Sequence, residues 1–261
     1  MNKVIRIETV DRLKVEVHPT RAAMGSAAAS ACRRRILEVL TRRASCRMIF
    51  AAAPSQNEML AGLRAASDTP WERIEAFHMD EYLGLPAQAP QRFSNFLRQT
   101  LFDLVPLKAV HLLDTGGLPI ADEMKRYASL LNAAPIDLVC LGVGENGHIA
   151  FNDPPVADFD DPFLVKEVVL DEVCRLQQVN DGAFASLEAV PQRAITLTVP
   201  ALMRGESLFC VVPGPRKAMA VKTMLTGLVD ESCPASVLRR HPDCTLYLDA
   251  ESASMWLETL T

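Results

Sequence analysis

Apolar and polar positions alternate between two textures along the chain. Short apolar or β-rich runs occupy residues 13–17, 47–53, 74–78, 109–113, 136–143, 194–199, 207–212 and 245–248. Amphipathic stretches of helical length lie between most of them, at 22–43, 56–66, 95–104, 121–132 and 216–227. A continuous apolar run of four to eight residues suits a strand buried on both faces, whereas a 3.6-residue stripe suits a helix packed along one side. Their regular alternation predicts βαβ units, and therefore an α/β fold with a mostly parallel sheet covered on both faces. No repeat, low-complexity linker or charge block divides the 261 residues, so they read as one domain, 1–261. In such a sheet ligands bind beyond the carboxyl ends of the strands, at a switch point in strand order. The loops that leave the strands are therefore where chemistry is sought.

Four of these loops are unusual. After 47–53 comes Pro54-Ser55-Gln56-Asn57-Glu58. Ser55 and Glu58 have capping-box spacing, and a helix starting there would point free N–H groups at an anion. After 74–78 come Asp80 and Glu81, which face opposite ways if the backbone stays extended. The one facing inward would be desolvated, with a raised pKa suited to a general base. After 136–143 comes Gly144-Glu145-Asn146-Gly147-His148, followed by Asp153-Pro154. Gly142, Gly144 and Gly147 match a dinucleotide fingerprint literally, but the prolines at 154 and 155 arrive where its helix should run. Such glycines instead permit close backbone approach to a ligand, and Asp153 is placed to orient the His148 imidazole. After 207–212 comes Pro213-Gly214-Pro215-Arg216-Lys217, where two cations oppose a helix macrodipole unless an anion sits between.

Composition narrows the partners. With 27 basic and 32 acidic side chains the net charge is −5, and no long basic run offers phosphate neutralisation along a nucleic acid. No uncharged apolar stretch of about 18 residues is present, and the N-terminal segment lacks a signal peptide's apolar core, so no membrane partner is expected. The seven cysteines show no CxxC pairing, and a cytoplasmic, reducing setting follows. His78, Asp80, His148 and Asp153 lack the spacing of a dedicated metal site, so no metal is expected.

Three segments together carry a resemblance: Phe77-His78-Met79-Asp80-Glu81-Tyr82-Leu83-Gly84-Leu85-Pro86, Leu141 through Pro154, and Gly214-Pro215-Arg216-Lys217-Ala218. In these the chain resembles the glucosamine-6-phosphate deaminase (isomerase) family, sister to the 6-phosphogluconolactonases. The resemblance implies a Rossmann-like αβα sandwich and a cofactor-independent aldose–ketose isomerisation. Glucosamine 6-phosphate would become fructose 6-phosphate and ammonia. It assigns Asp80 as the base between C2 and C1 and His148 to ring opening, with Asp153 supporting it and Asn146 where aspartate is common. Lys217 would contact the phosphate, and Ser55, Gln56, Glu81, Gly144 and Gly147 join it as substrate-binding candidates. A phosphate-binding arginine is expected near residues 173–180, where Gln178 aligns and Arg175 lies close by. The loop Ala52-Ala53-Pro54-Ser55-Gln56 departs from the family's Gly/Ser/Thr-rich pattern, which points to a divergent subgroup. Lactone hydrolysis and non-catalytic sugar-phosphate sensing stand as alternatives, and a homo-oligomer is allowed.

Overall fold

The computed structural model describes residues 4–260; Met1 to Lys3 and Thr261, part of the domain expected from sequence, lie outside the described residues. In chain order the strands are β1 (Arg6–Val10), β2 (Leu13–His18), β3 (Cys46–Phe50), β4 (Ile74–His78), β5 (Asp80–Tyr82) and β6 (Ala109–His111). They continue with β7 (Leu138–Leu141), β8 (Val165–Val169), β9 (Arg193–Leu197), β10 (Ser207–Val212) and β11 (Cys244–Asp249). The helices are α1 (Arg21–Arg42), α2 (Asn57–Ala65), α3 (Phe93–Leu97), α4 (Ile120–Asn132), α5 (Glu172–Asn180), α6 (Val199–Met203), α7 (Ala218–Thr226) and α8 (Ser254–Leu257). Beyond α3 the chain winds on in the wider π form over Arg98–Phe102, so the stretch expected at 95–104 is helical in two forms.

Eight strands make one sheet in the order β1-β2-β11-β10-β7-β3-β4-β6, parallel throughout except for the antiparallel edge strand β1. Within β3, Met48 and Phe50 face one side and Ile49 the other, the period of two that a strand imposes. The first side is covered by α1 (Met24, Ala28, Cys32, Ile36, Val39), by α2 and by the α3 segment. The second is covered by α4, α6, α7 and Trp256 of α8. This is the expected αβα sandwich.

One expectation is corrected. The run at 194–199 is β9, but it belongs to a separate three-stranded antiparallel sheet, β5-β9-β8. That sheet packs Tyr82, Val168 and Ala194 with Phe151, Cys174 and Phe184 into a small core of its own. In the main sheet β3 and β7 are neighbours, yet the chain moves outward in opposite directions from them, to β4 and β6 on one side and to β10 and β11 on the other. The switch point in strand order lies between them.

Candidate active site

A cavity of about 510 Å³ opens at that switch point. Its walls come from the carboxyl ends of four parallel strands: Ala51–Ser55 after β3, Met79 and Asp80 after β4, Gly142–Gly144 and His148 after β7, and Pro213 and Lys217 after β10. From α5 and the turn beyond it come Gln177, Gln178, Asp181 and Gly182, and from the first turn of α1 comes Arg21.

The small sheet fixes the acid–base groups relative to one another. Asp80 pairs with Thr196 of β9, while the Phe151 amide donates to Thr196 Oγ1 at 3.1 Å. Asn152 Nδ2 donates to the carbonyl of Leu197, and the Leu197 amide donates to the carbonyl of Met79. One strand thus grips both the Asp80 segment and the His148 loop. As the extended backbone requires, Asp80 and Glu81 diverge. Asp80 lines the cavity, is 5% exposed and accepts no hydrogen bond among the described residues. Burial, reinforced by the neighbouring charge of Glu81, pushes its carboxyl well above the usual range.

His148 Nδ1 lies 2.9 Å from Asp153 Oδ1, and Nε2 makes no hydrogen bond among the described residues. Asn146 braces this pair, donating from Nδ2 to Asp153 and accepting the His148 amide on Oδ1. Burial alone would raise the Asp153 carboxyl, but His148, Asn146 and the Asp171 amide outweigh it and hold it below its ordinary value. Gly144 makes room for the imidazole: a Cβ there would stand 2.2 Å from the His148 ring. Ala150, at the cavity wall, sits at φ 49°, a left-handed conformation of the kind stored at functional loops. The Cys174 sulfur joins His148 and Asp153 in a group whose ligand-type atoms lie within 4.8 Å of one another. Asp153 is committed there to the ion pair with His148 and to hydrogen bonds from Asn146 and the Asp171 amide.

The cavity wall also carries a lysine. Lys217 ends a tight turn, Pro215–Lys217, that opens α7; it is 8% exposed and its Nζ has no partner among the described residues. Burial lowers its pKa, against the pull of Asp181 and Glu145. Ser55, in the turn Pro54–Gln56 that precedes α2, lines the same cavity.

Several sequence-predicted residues lie elsewhere. The capping box does not form, because Glu58 turns to Arg21 at 2.7 Å and Ser55 Oγ accepts from Gln56. Gln56 lies outside the cavity wall, its amide tying the β3 loop to the carbonyls of Leu141 and Val211. Glu81 is fully buried and accepts from the amides of Phe93 and Ser94 and the Ser94 hydroxyl, anchoring the start of α3. Gly147, at φ 86°, abuts Cys233 rather than the cavity. Arg175 donates to the carbonyls of Leu187 and Val190, so the arginine expected near 173–180 is absent from the wall, while Gln178 is present. Arg21 escaped notice, although it carries the signal that marked Lys217, a cation in the first turn of a helix.

The model of glucosamine-6-phosphate isomerases/6-phosphogluconolactonase matches residues 19–164, more than half of the chain. The chain belongs to this family. A glucosamine-6-phosphate deaminase of Bacillus thuringiensis (strain Al Hakam) is 38% identical over 188 residues, covering 72% of this chain and 70% of that protein. Its counterpart in Bacillus cytotoxicus is 36% identical over 187 residues, again 72% and 70%. Among solved structures, a monomeric glucosamine-6-phosphate deaminase superposes with a TM-score of 0.84 at 26% identity, over 92% of this chain and 99% of its own. The 6-phosphogluconolactonase of Thermotoga maritima, at 21% identity and a TM-score of 0.73 over 93% and 100%, shares the fold.

Proposed function

We propose that the protein converts glucosamine 6-phosphate and water to fructose 6-phosphate and ammonia. The observation that carries this reading is Asp80: a buried carboxylate without hydrogen bonds, in one cavity with the His148–Asp153 pair and the unpartnered Lys217. A carbon acid needs a base that water does not soften, and burial supplies one.

The steps follow from the placement of these groups. Lys217 and Ser55 hold the 6-phosphate. His148, oriented by Asp153, moves the proton between the anomeric hydroxyl and the ring oxygen, and the sugar opens to an aldehyde. Asp80 takes the proton from C2, and the electron pair forms a C1–C2 double bond, an enediol-type enolamine. Return of the proton to C1 leaves C2 doubly bonded to nitrogen. Water adds at C2, the C–N bond breaks, and ammonia departs from the ketone. Each positioned acid–base step contributes about 10²–10⁴-fold.

Lactone hydrolysis would give Asp80 no proton on carbon to take, so an assay separates the two readings. Release of ammonia from glucosamine 6-phosphate supports the deaminase. Acid release from 6-phosphogluconolactone without ammonia release refutes it, and ligand-induced thermal stabilisation without turnover of either would mark a sensor. A cytoplasmic setting suits the seven buried free thiols, and no described helix is long and apolar enough to cross a membrane.

A further inference from the structure

The anion end of the cavity is one cation short of its proposed ligand. A phosphate monoester carries about 1.5–2 negative charges at neutral pH, and Lys217 is the lysine that the described residues contribute to the wall. Arg175 is spent on the backbone carbonyls of Leu187 and Val190. The one arginine in the wall is Arg21.

Small residues bring it there. A Cβ at Gly25 would stand 2.3 Å from Glu58 Cβ, and one at Gly62 would stand 2.7 Å from Ala29 Cβ, so α1 and α2 touch almost backbone to backbone. Arg21, Gly25 and Ala29 follow at intervals of four and share one face of α1. The contact at Gly25 therefore presses the first turn of α1 against the loop that leaves β3. There the Arg21 Nε donates to Glu58 Oε1 at 2.7 Å and Nη2 donates to the Pro54 carbonyl, one residue before Ser55. Nη1 makes no hydrogen bond among the described residues. The guanidinium is aimed by two fixed contacts and keeps donors in reserve at the cavity wall.

We infer that Arg21 is the second cation for the substrate's phosphate and sets the preference for phosphorylated sugars; this rests on the site being a sugar-phosphate site. Glu58 aims the guanidinium, and Lys217, also in the cavity wall, binds the same phosphate. An arginine from the first helix thereby takes the part for which Arg175 is misplaced.

Steady-state kinetics on the full chain test this, with ammonia release from glucosamine 6-phosphate as readout and inorganic phosphate as competing ligand. Arg21→Gln should raise KM about 10-fold, the lower end of a charge-assisted contact because the side chain is 41% exposed. The inhibition constant of phosphate should weaken by the same factor, kcat should stay within about threefold, and Arg21→Lys should recover part of the loss. If Arg21 merely offset the charge of Glu58, Arg21→Gln combined with Glu58→Gln would return KM to the wild-type value, and that result would overturn the proposal. An unchanged KM and phosphate constant in Arg21→Gln would overturn it equally. Should the wild type release no ammonia, the deaminase reading fails by itself, and calorimetric binding of inorganic phosphate then judges Arg21. Binding about 10-fold weaker in Arg21→Gln supports the assignment; equal binding, or none to either protein, rejects it.

Discussion

Asp80→Asn should make the protein inactive and more stable at once. In the folded state the carboxylate is 5% exposed, accepts no hydrogen bond and lies beside the negative charge of Glu81. Burial and that charge raise its pKa, so the native state binds the Asp80 proton more tightly than the unfolded chain does. By linkage, wild-type stability falls as pH rises from about 4, the unfolded value, through the raised native value, and levels off above it. Asparagine keeps the shape, removes the charge and forfeits no hydrogen bond. Relief of such active-site strain is commonly worth about 0.5–2 kcal/mol. In a chain of this size, about 1 kcal/mol moves Tm by about 2–4 °C. Loss of the C2 base should lower kcat by about 10²–10⁴-fold. The assay pairs ammonia release with melts of both proteins from pH 4 to pH 8. The Tm gap should be near zero at the acid end and widen toward neutrality. Retained turnover, or a gap that does not change with pH, would refute the argument.

Three further outcomes follow from the same geometry. Lys217→Ala should weaken glucosamine 6-phosphate by about 10–150-fold and leave the binding of unphosphorylated glucosamine unchanged, as measured by KM and calorimetry. Asp153→Asn should lower kcat about 100-fold or more at constant fold, read by ammonia release alongside thermal melts, because the imidazole loses the carboxylate 2.9 Å from Nδ1 that orients it. Glu81→Ala should cost about 3 kcal/mol, the lower end for removing one partner of a buried, hydrogen-bonded charge, read by denaturant melts at neutral pH. Although burial opposes it, the Glu81 pKa is drawn from 4.5 to about 2 by the nearby His78 and by Ser94, so its contribution is present above pH ~4.5 and lost as pH falls toward 2.

The main sheet was legible because its interior strands are buried on both faces and read as unbroken apolar runs. Three strands were not. Strand β1 is an edge strand with Ile7 half exposed, so its pattern alternates too weakly to stand out. Strand β5 is three residues long and built on Asp80 and Glu81, residues that suit a turn as well as a strand. Strand β8 carries Lys166 and Glu167 at its centre and exposes Val169. The last two belong to the small sheet that ties Asp80 to the His148 loop, and without them β9 reads as one more strand of the main sheet. The residues of the site were easier to place than their partners. The divergence of Asp80 from Glu81 follows from strand geometry alone. The anchoring of α3 by Glu81 and the diversion of Arg175 to carbonyls depend on contacts 12 to 15 residues away, which no local pattern encodes. Arg21 lies 33 residues before the loop it touches and was overlooked for the same reason.

Two groups in the cavity wall share one physical logic. Each is ionisable with its charge poorly solvated: Asp80 has a raised pKa, and Lys217 a lowered one. Separately, each arrangement is a local defect, since an unpaired buried charge weakens the fold. Together they describe a ligand with an anion at one end and an acidic carbon at the other, which a six-carbon sugar phosphate supplies. In the proposed reaction the phosphate would give the buried ammonium a partner that the protein withholds. The energy of that contact would hold the sugar for proton transfer at C2, so that binding at one group is converted into catalysis at another. Filling either defect with a better-solvated pair would stabilise the protein and remove the reason for the other. The small antiparallel sheet matters for that reason: it holds Asp80 against the His148 loop while leaving the carboxylate without a hydrogen bond.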